Sequence, residues 1–394
     1  MPCGVFTEIS SDKYVLHFNL NGEIIRAKGK GGQWAHPHEW LKHTKGNDWV
    51  YYSTGGYAGV FEAIGEYYLP NFAYPSNTLL GGQPFADDGI CRLTQTWYEI
   101  LEQAADSIGN PPEPIHLFLS KALANTPRVL EEKASRLRDI IGGRISVLPP
   151  DARHVDYNLI PLTIADGCLY KCRFCKVKNS SPFSLRTPAN IAEQISRLKN
   201  LYDADLTNYN ALFLGEHDAL QAGPDHLCFT LEEAYRQFGF AQSYIQDHKT
   251  FFFGSATSLL NTPERFFCDL ENLPGMFYIN IGLESADQET LDALGKPLSA
   301  KQVGEAFARM QDINNRFQTV EITANFIMDE NLPVQHYPSI LDLIRDRQVF
   351  TRPKGTIYFS PLTFNQPSRA RLFEFNRLKV LSRFPTFLYI IQRL

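Results

Sequence analysis

The second half of the chain alternates between two hydrophobic patterns. Short runs rich in β-branched and aromatic residues are typical of strands, and between them apolar residues recur at helical spacing. The predicted strands are residues 159–165, 211–214, 250–255, 277–283, 320–327 and 356–359. Thr187–Pro188 and a capping box of Thr230 with Glu233 are predicted helix starts. About six strand–helix units predict an α/β fold whose parallel strands curl into a partial barrel, with its functional groups where the strands end.

The first half of the chain has a mixed pattern. Alternating residues on both sides of Asn21–Gly22 predict a β-hairpin. Helical spacing predicts helices that end near Tyr68, at 108 and at 141. The proline-containing stretch Leu148–Asp151 is interpreted as a linker. We expect three divisions of the chain. Residues 1–150 form a smaller α+β accessory domain of unknown role, residues 151–365 form a core domain, and residues 366–394 form a basic C-terminal helical segment.

The composition is that of an ordinary soluble globular protein. The 394 residues are 44% hydrophobic and 21% charged, with a net charge of -5, which makes nucleic acid the less favoured partner. No apolar run reaches the roughly 18 residues of a membrane span, and no signal peptide is predicted. The seven cysteines are an odd number with three clustered, which fits a reducing compartment, so we expect the cytoplasm.

The clustered cysteines predict a metal centre. Cys168, Cys172 and Cys175 lie within eight residues, directly after the first predicted strand of the core. Thiolates are soft ligands, so zinc and iron–sulfur clusters are the centres to weigh. A structural zinc site needs a fourth ligand, and no second CxxC or HxxxH pair lies nearby. A [4Fe–4S] cluster held by three cysteines leaves one iron open for another ligand.

The Cys168–Cys175 stretch resembles the CxxxCxxC signature of radical S-adenosyl-L-methionine (SAM) enzymes. The aromatic residue before the last cysteine, Phe174, also matches that signature. The resemblance implies that Cys168, Cys172 and Cys175 hold a [4Fe–4S] cluster whose open iron takes the amino and carboxylate groups of SAM. It also implies that the core is a partial (β/α)6 TIM-like barrel.

A second motif follows the second predicted strand. In the radical SAM family a Gly-Gly-Glu motif at this place binds the SAM amino group. This chain has Gly215–Glu216 there, with Leu214 in the place of the first glycine. The resemblance therefore implies a SAM contact at Gly215 and Glu216, because a bound ammonium needs acceptors and glycine lets the backbone approach closely.

A third motif follows the fourth predicted strand. Gly282–Ser285, which continues to Gly295–Lys296, resembles the "GLES…D…TL…GK" stretch of the coproporphyrinogen-dehydrogenase and elongator-like branch. It implies that Glu284 contacts the ribose hydroxyls or the methionine portion of SAM, or else caps the next helix. Ser255, at the end of the third strand, is a further ribose candidate. Ala324–Asp329 departs from the family's GxIxGxxE pattern, so no side-chain contact is carried over to this strand.

Together these resemblances imply a radical SAM enzyme. Its reduced cluster is expected to cleave SAM to a 5′-deoxyadenosyl radical, which abstracts hydrogen from a substrate that the sequence does not identify. The expected electron donor is a reductant such as flavodoxin or ferredoxin. The alternatives are a non-enzymatic iron–sulfur electron carrier and a zinc-stabilised RNA-binding module.

The other cysteines predict that there is only one cluster. None of them pairs with another at CxxC or CxxxC spacing; they are Cys3, Cys91, Cys228 and Cys268. Apolar neighbours suggest that Cys228 and Cys268 are buried thiols. The basic residues after Thr351 are interpreted as a solvated helix face or a subunit contact.

Overall fold

An antiparallel sheet of six strands, in the order β1 to β6, forms the first part of the fold. The computed structural model describes residues 4–31, 34, 39–53, 67–70, 83–170, 172–175, 181–347, 354–362 and 369–394. The strands are β1 (Thr7–Ser10), β2 (Tyr14–Phe18), β3 (Ile24–Gly29), β4 (Glu39–His43), β5 (Trp49–Ser53) and β6 (Tyr67–Pro70). The hairpin at Asn21–Gly22 is confirmed, because β2 and β3 pair on its two sides. The prediction of a helix that ends near Tyr68 is wrong for its last residues, because they form β6, which pairs with β5. The rest of that expected helix, residues 54–66, lies outside the described residues.

Three helices follow the antiparallel sheet. They are α1 (Asp88–Ile108), α2 (Glu113–Ala124) and α3 (Pro127–Ile141). The two helices expected to end at 108 and 141 are confirmed, and α2 is additional. Leu93, Trp97 and Leu101 of α1 are buried in the same hydrophobic core as the strands. An antiparallel sheet with helices agrees with the expected accessory unit.

A parallel sheet of seven strands forms the second part. Its strand order is β15-β14-β13-β12-β11-β10-β7, and every neighbouring pair is parallel. The strands are β7 (Ile160–Pro161), β10 (Ala211–Asp218), β11 (Lys249–Ser255), β12 (Met276–Glu284), β13 (Val320–Met328), β14 (Ile357–Pro361) and β15 (Thr386–Leu388). The α/β class with a parallel sheet is confirmed, and all six expected strands lie in it, the first as the short β7.

Helices connect these strands. They are α4 (Pro188–Tyr202), α5 (Pro224–Phe238), α6 (Ala256–Asn261), α7 (Glu264–Glu271), α8 (Gln288–Leu294), α9 (Ala300–Arg316), α10 (His336–Leu341) and α11 (Arg369–Leu381). Thr187 caps α4 as expected, through its hydroxyl and the Asn190 N–H. The capping box at Thr230 is wrong, because Thr230 lies inside α5 and donates its hydroxyl to the His226 carbonyl. No helix in the described part of the chain is long and apolar enough to cross a membrane.

Two stretches depart from their expected structure. The expected linker enters a short 3-10 helix, Pro150–Val155, in which Asp151 is only 1% exposed. The expected C-terminal helical segment contains α11, but it also supplies strand β15 at one edge of the parallel sheet. The parallel sheet allows Asp151 to be buried, because Thr323 and Tyr358 donate hydrogen bonds to its carboxylate.

A buried charge cluster joins the antiparallel sheet to the parallel one. Lys45 and Lys133 both form ion pairs with Glu23. Asn19 bridges Glu23 and Asp205, which precedes β10, with two hydrogen bonds of 2.8 Å. Although burial alone raises it, the two lysines lower the pKa of the Glu23 carboxyl to about 2, so Glu23 is ionised at neutral pH.

Candidate functional site

The cysteine loop is closed at its base by a two-stranded ribbon. β8 (Ala165–Asp166) pairs with β9 (Ser184–Leu185), on the two sides of residues 167–183. Arg186 donates two hydrogen bonds to the Asp166 carboxylate across this base, at 2.8 and 2.7 Å. The loop therefore projects from the end of the first core strand, where the sequence predicts the functional groups.

Cys168 and Cys175 both lie close enough to Cys172 to act on its charge. Cys172 is buried, and Cys168 and Cys175 are partly buried. Burial raises the pKa of the Cys172 thiol, the Lys296 ammonium opposes that rise, and Cys175 and Cys168 add to it. Phe174 is partly buried within the loop.

The donor set fits an iron–sulfur cluster. No group of three or more His, Cys, Asp or Glu side chains among the described residues is arranged to hold a single metal ion. A cluster does not require such convergence, because each thiolate binds a different iron atom. Three soft thiolates on one short loop are the ligands that iron–sulfur clusters use.

A distant segment packs against the cysteine loop. The Arg173 N–H donates to the Leu294 carbonyl at the end of α8, at 2.9 Å. Gly295 follows with a φ of +64°, and a Cβ there would lie 3.1 Å from Cγ of Arg173. Because a side chain at 295 would press on Arg173, glycine allows this contact. The structure therefore brings the first and third motifs together.

Glu284 and Lys296 form a buried ion pair beside the cysteines. Lys296 Nζ lies 2.9 Å from Glu284 Oε1, and both residues are at most 8% exposed. Burial lowers the pKa of the Lys296 ammonium, but Glu284 and Cys172 more than reverse this, so Lys296 stays charged. Glu284 does not cap the next helix, because Asp287 accepts the Thr290 N–H there.

Glu216 is turned towards the chain that precedes the parallel sheet. Gly215 has a φ of +85°, and the register of β10 shifts between Phe213 and Asp218. Glu216 Oε1 accepts hydrogen bonds from the Val147 N–H and the Ser146 hydroxyl, both at 2.7 Å, and from the Ser146 N–H. Burial raises the pKa of the Glu216 carboxyl, and these three donors act against the rise.

Ser255 has a structural role in this structure. Its hydroxyl accepts the Ser258 N–H at 3.0 Å and lies 2.9 Å from the Ser258 hydroxyl, so it caps α6. It is nevertheless located at the end of β11, next to the other strand ends. A role in ribose binding stays a prediction.

A polar row on the parallel sheet was not predicted from the hydrophobic pattern. We define the inner face as the face that carries Asn280, Thr323, Asn325 and Tyr358, which pair across neighbouring strands. Asp151 bonds to this face through Thr323 and Tyr358. The available signal was the interruption of apolar strand runs by buried polar residues at alternate positions.

The sequence model of the Radical SAM superfamily matches residues 162–332, which contain all three motifs. Residues 162–332 are a radical SAM domain. The expected superfamily, enzyme class and cofactors are therefore confirmed, since radical SAM enzymes use a [4Fe–4S] cluster and SAM. The electron-carrier and zinc-module alternatives are not favoured. The roles of single site residues and the domain boundaries stay predictions.

A radical SAM enzyme is among the solved structures that resemble the chain. A radical SAM methyltransferase from Sphaerobacter thermophilus is 13% identical over 58% of this chain and 64% of its own, with a TM-score of 0.41. Methylornithine synthase (PylB) is 13% identical over 66% and 70%, with a TM-score of 0.37. HydG, a maturase of the [FeFe]-hydrogenase, is 12% identical over 74% and 62%, with a TM-score of 0.40. The chain spans 64% of the methyltransferase, whose reaction is not carried over. No curated protein matches the chain.

Proposed function

We propose that Cys168, Cys172 and Cys175 hold a [4Fe–4S] cluster and that this chain performs hydrogen abstraction. When bound, the reduced cluster supplies the electron that splits SAM into methionine and a 5′-deoxyadenosyl radical. The observation that carries the proposal is the cysteine loop packed on Leu294–Gly295, which places the buried Glu284–Lys296 pair beside Cys172. The substrate is not specified by these residues.

The chain's own residues have separate tasks in this proposal. Glu216 accepts the SAM ammonium, since it lies on β10, which contacts β8 at the base of the cysteine loop. The positive charge of Lys296 favours the thiolate of Cys172 and orients Glu284 towards SAM. Asn325 lies on the inner face, next to Phe326, the residue that pairs with Glu284. Its Oδ1 is buried without a hydrogen-bond partner, which suits a further SAM contact.

The electron is proposed to come from a separate protein. Radical SAM enzymes generally need an external reductant, and a flavodoxin or ferredoxin is the donor that we propose here. A cytoplasmic location is part of the same proposal, because free thiols and a reducible cluster need a reducing compartment.

Anaerobic reconstitution tests the proposed function. The chain is loaded with iron and sulfide, reduced with dithionite, mixed with SAM and analysed for nucleosides. We expect 5′-deoxyadenosine and about four irons per chain, the content of one cluster. Alanine at Cys168, Cys172 or Cys175 should abolish both. S-adenosylhomocysteine as the main product would instead indicate methyl transfer.

The outlying cysteines provide the matched control. Cys228 is partly buried and Cys268 is exposed, so the expectation that both are buried is wrong. Cys3 lies outside the described residues. Alanine at Cys228 and Cys268 should leave the iron content unchanged. If the wild type instead holds about eight irons per chain and this control variant holds fewer, the chain has a second cluster.

A further inference from the structure

The inner face carries a relay of hydrogen bonds beneath the proposed SAM site. Arg153 Nε donates to the Tyr358 hydroxyl at 3.0 Å, and that hydroxyl donates to Asp151 Oδ1 at 2.8 Å. The Thr323 hydroxyl donates to the other oxygen of Asp151, Oδ2, at 2.7 Å. Asp151 is thus a fully buried acceptor with both oxygens occupied by side chains of the sheet.

The relay determines which way the Asn280 amide points. The single proton of the Thr323 hydroxyl is used by Asp151, so this hydroxyl must accept from Asn280 Nδ2, which lies 2.9 Å away. The amide oxygen, Oδ1, consequently points away from Thr323. It is buried without a hydrogen-bond partner, in a residue that is 1% exposed. An unsatisfied buried acceptor is costly, so it calls for an explanation.

The position of Asn280 separates it from the SAM contacts. Asn280 precedes Glu284 by four residues on β12, and its partner Thr323 precedes Asn325 by two residues on β13, so Asn280 lies roughly 7 Å or more further from the strand end than either proposed SAM contact. SAM must reach the cluster at the strand ends, and a carbon attacked by the adenosyl radical must lie beyond SAM on the side away from the cluster. The deep end of the inner face is where such a substrate would rest. This step rests on the proposed function.

We propose that Asn280 Oδ1 forms the floor of the substrate pocket and accepts a hydrogen bond from an N–H or O–H group of the substrate. The relay keeps this oxygen an acceptor, so a group that only accepts gains nothing there. A carboxylate or phosphate at this end of the substrate is disfavoured, because it has no proton to donate to Oδ1 and its charge would lie close to the Asp151 carboxylate, which Thr323 joins to Asn280.

Thermal unfolding of the apoprotein tests whether Asn280 is kept for a ligand. Asn280→Leu removes the unpartnered oxygen together with one hydrogen bond to Thr323, so we expect its Tm to fall by less than that of a variant that loses two satisfied hydrogen bonds. The matched control is Asn314→Leu, because Asn314 is 2% exposed and its amide bonds both the N–H and the carbonyl of Ile322. Its Tm should fall by several degrees. An equal fall in both variants would overturn the proposal and make Asn280 structural.

Probe binding tests the chemistry of the pocket. Ligand-observed NMR on the reconstituted protein with SAM measures acetamide (N–H donor), tert-butanol (O–H donor) and acetate (anion). We expect acetamide or tert-butanol to bind and acetate not to bind, and the difference between the first two tells N–H from O–H recognition. Asn280→Leu should weaken the binding about tenfold, as expected for one hydrogen bond. Binding of acetate, or binding that Asn280→Leu does not change, would overturn the proposal.

SAM titration separates this pocket from the cofactor site. Asn280→Leu should keep the wild-type dissociation constant for SAM, whereas Asn325→Leu should raise it. A SAM affinity that falls in Asn280→Leu would assign Asn280 to the cofactor and overturn the substrate pocket. If wild-type protein forms no 5′-deoxyadenosine, the proposed function fails, while the probe-binding result still decides which groups the inner face takes.

Discussion

At the scale of single residues, the motif that contains Glu216 predicts its charge but not its contacts. The motif predicts a carboxylate for the SAM ammonium, yet in this structure three donors from Ser146 and Val147 converge on its Oε1. Those contacts hold the carboxylate in place and keep it buried. The negative charge of Glu216 is therefore the property by which it would attract a bound ammonium.

Glu216→Gln should weaken SAM binding while the cluster stays in place. The amide oxygen can still accept from Ser146 and Val147, but the charge-assisted bond to an ammonium, worth about 1.5–3 kcal/mol, is lost. We expect the dissociation constant for SAM to rise ten- to hundredfold, measured by EPR titration of the reduced cluster. Ser146→Ala removes only one neutral donor and is the control. An unchanged constant in Glu216→Gln would mean that Gly215–Glu216 is only a turn.

Lys296→Met should destabilise the fold strongly. It leaves Glu284 buried without its partner, and breaking a buried ion pair from one side costs about 3–5 kcal/mol. Urea unfolding of the apoprotein measures this loss. Lys301→Met is the matched control, because its ion pair with Glu305 is exposed and should contribute little. Adding Glu284→Leu to Lys296→Met should restore most of the stability but not SAM binding; no restoration would contradict the pairing.

At the scale of elements, helix ends decide where the site residues lie. α5 and α8 end in glycines with nearly the same left-handed conformation, Gly239 with a φ of +65° and Gly295 with a φ of +64°. A Cβ at 239 would meet only Gln242, at 3.9 Å, whereas a Cβ at 295 would press on Arg173 in the cysteine loop. The left-handed glycine therefore only ends the helix in α5, whereas in α8 it also allows contact with the cysteine loop.

Gly295→Ala should disturb the cluster as well as the fold. Both Gly295→Ala and the control Gly239→Ala place a side chain in the left-handed region, which costs about 1–2 kcal/mol. Only the first is expected to move Arg173 and thereby the neighbouring cysteines. Iron content and visible absorption after reconstitution should fall in Gly295→Ala and stay normal in Gly239→Ala. Equal iron content in the two variants would contradict the packing of α8 on the loop.

At the scale of the whole molecule, the chain before the core and the end of the chain both contact the core. Residues Ser146–Val147 bond to Glu216, and Asp151 bonds to β13 and β14. The Leu148 N–H donates to the Gln392 carbonyl, which lies after β15. The stretch expected to link two domains is thus part of the packing between them.

The buried Asp151 should make stability depend on pH. Burial raises its pKa to about 6, above the ordinary 3.8, so the folded state holds the proton more tightly than the unfolded state. Its stabilising contribution is present at pH 4 and is lost as the pH rises through 6. Relative to wild type, Asp151→Asn should therefore gain about 2 kcal/mol of unfolding free energy between pH 4.5 and 7.5, by urea titration. A difference that does not change with pH would contradict a raised pKa.

The sequence by itself determined the features that depend on local spacing. Alternating and helical periodicities located all six expected core strands, because a strand or an amphipathic helix must bury one side of a short segment. The spacing of Cys168, Cys172 and Cys175 keeps three thiols within eight residues of one another in any fold. For the same reason Thr187–Pro188 marked a helix start correctly, whereas Thr230 carries the same local signal inside α5, where burial and packing override it.

Only the tertiary structure decided the contacts between segments that are distant in sequence. The packing of Gly295 on Arg173, the bonds from Ser146 and Val147 to Glu216, and the relay that turns Asn280 all join residues 43 or more positions apart. No periodicity reports such contacts, because they depend on how whole elements pack against one another. The same reason explains β15 and the buried Asp151: a short polar stretch gains its structure from the partners that the folded sheet offers it.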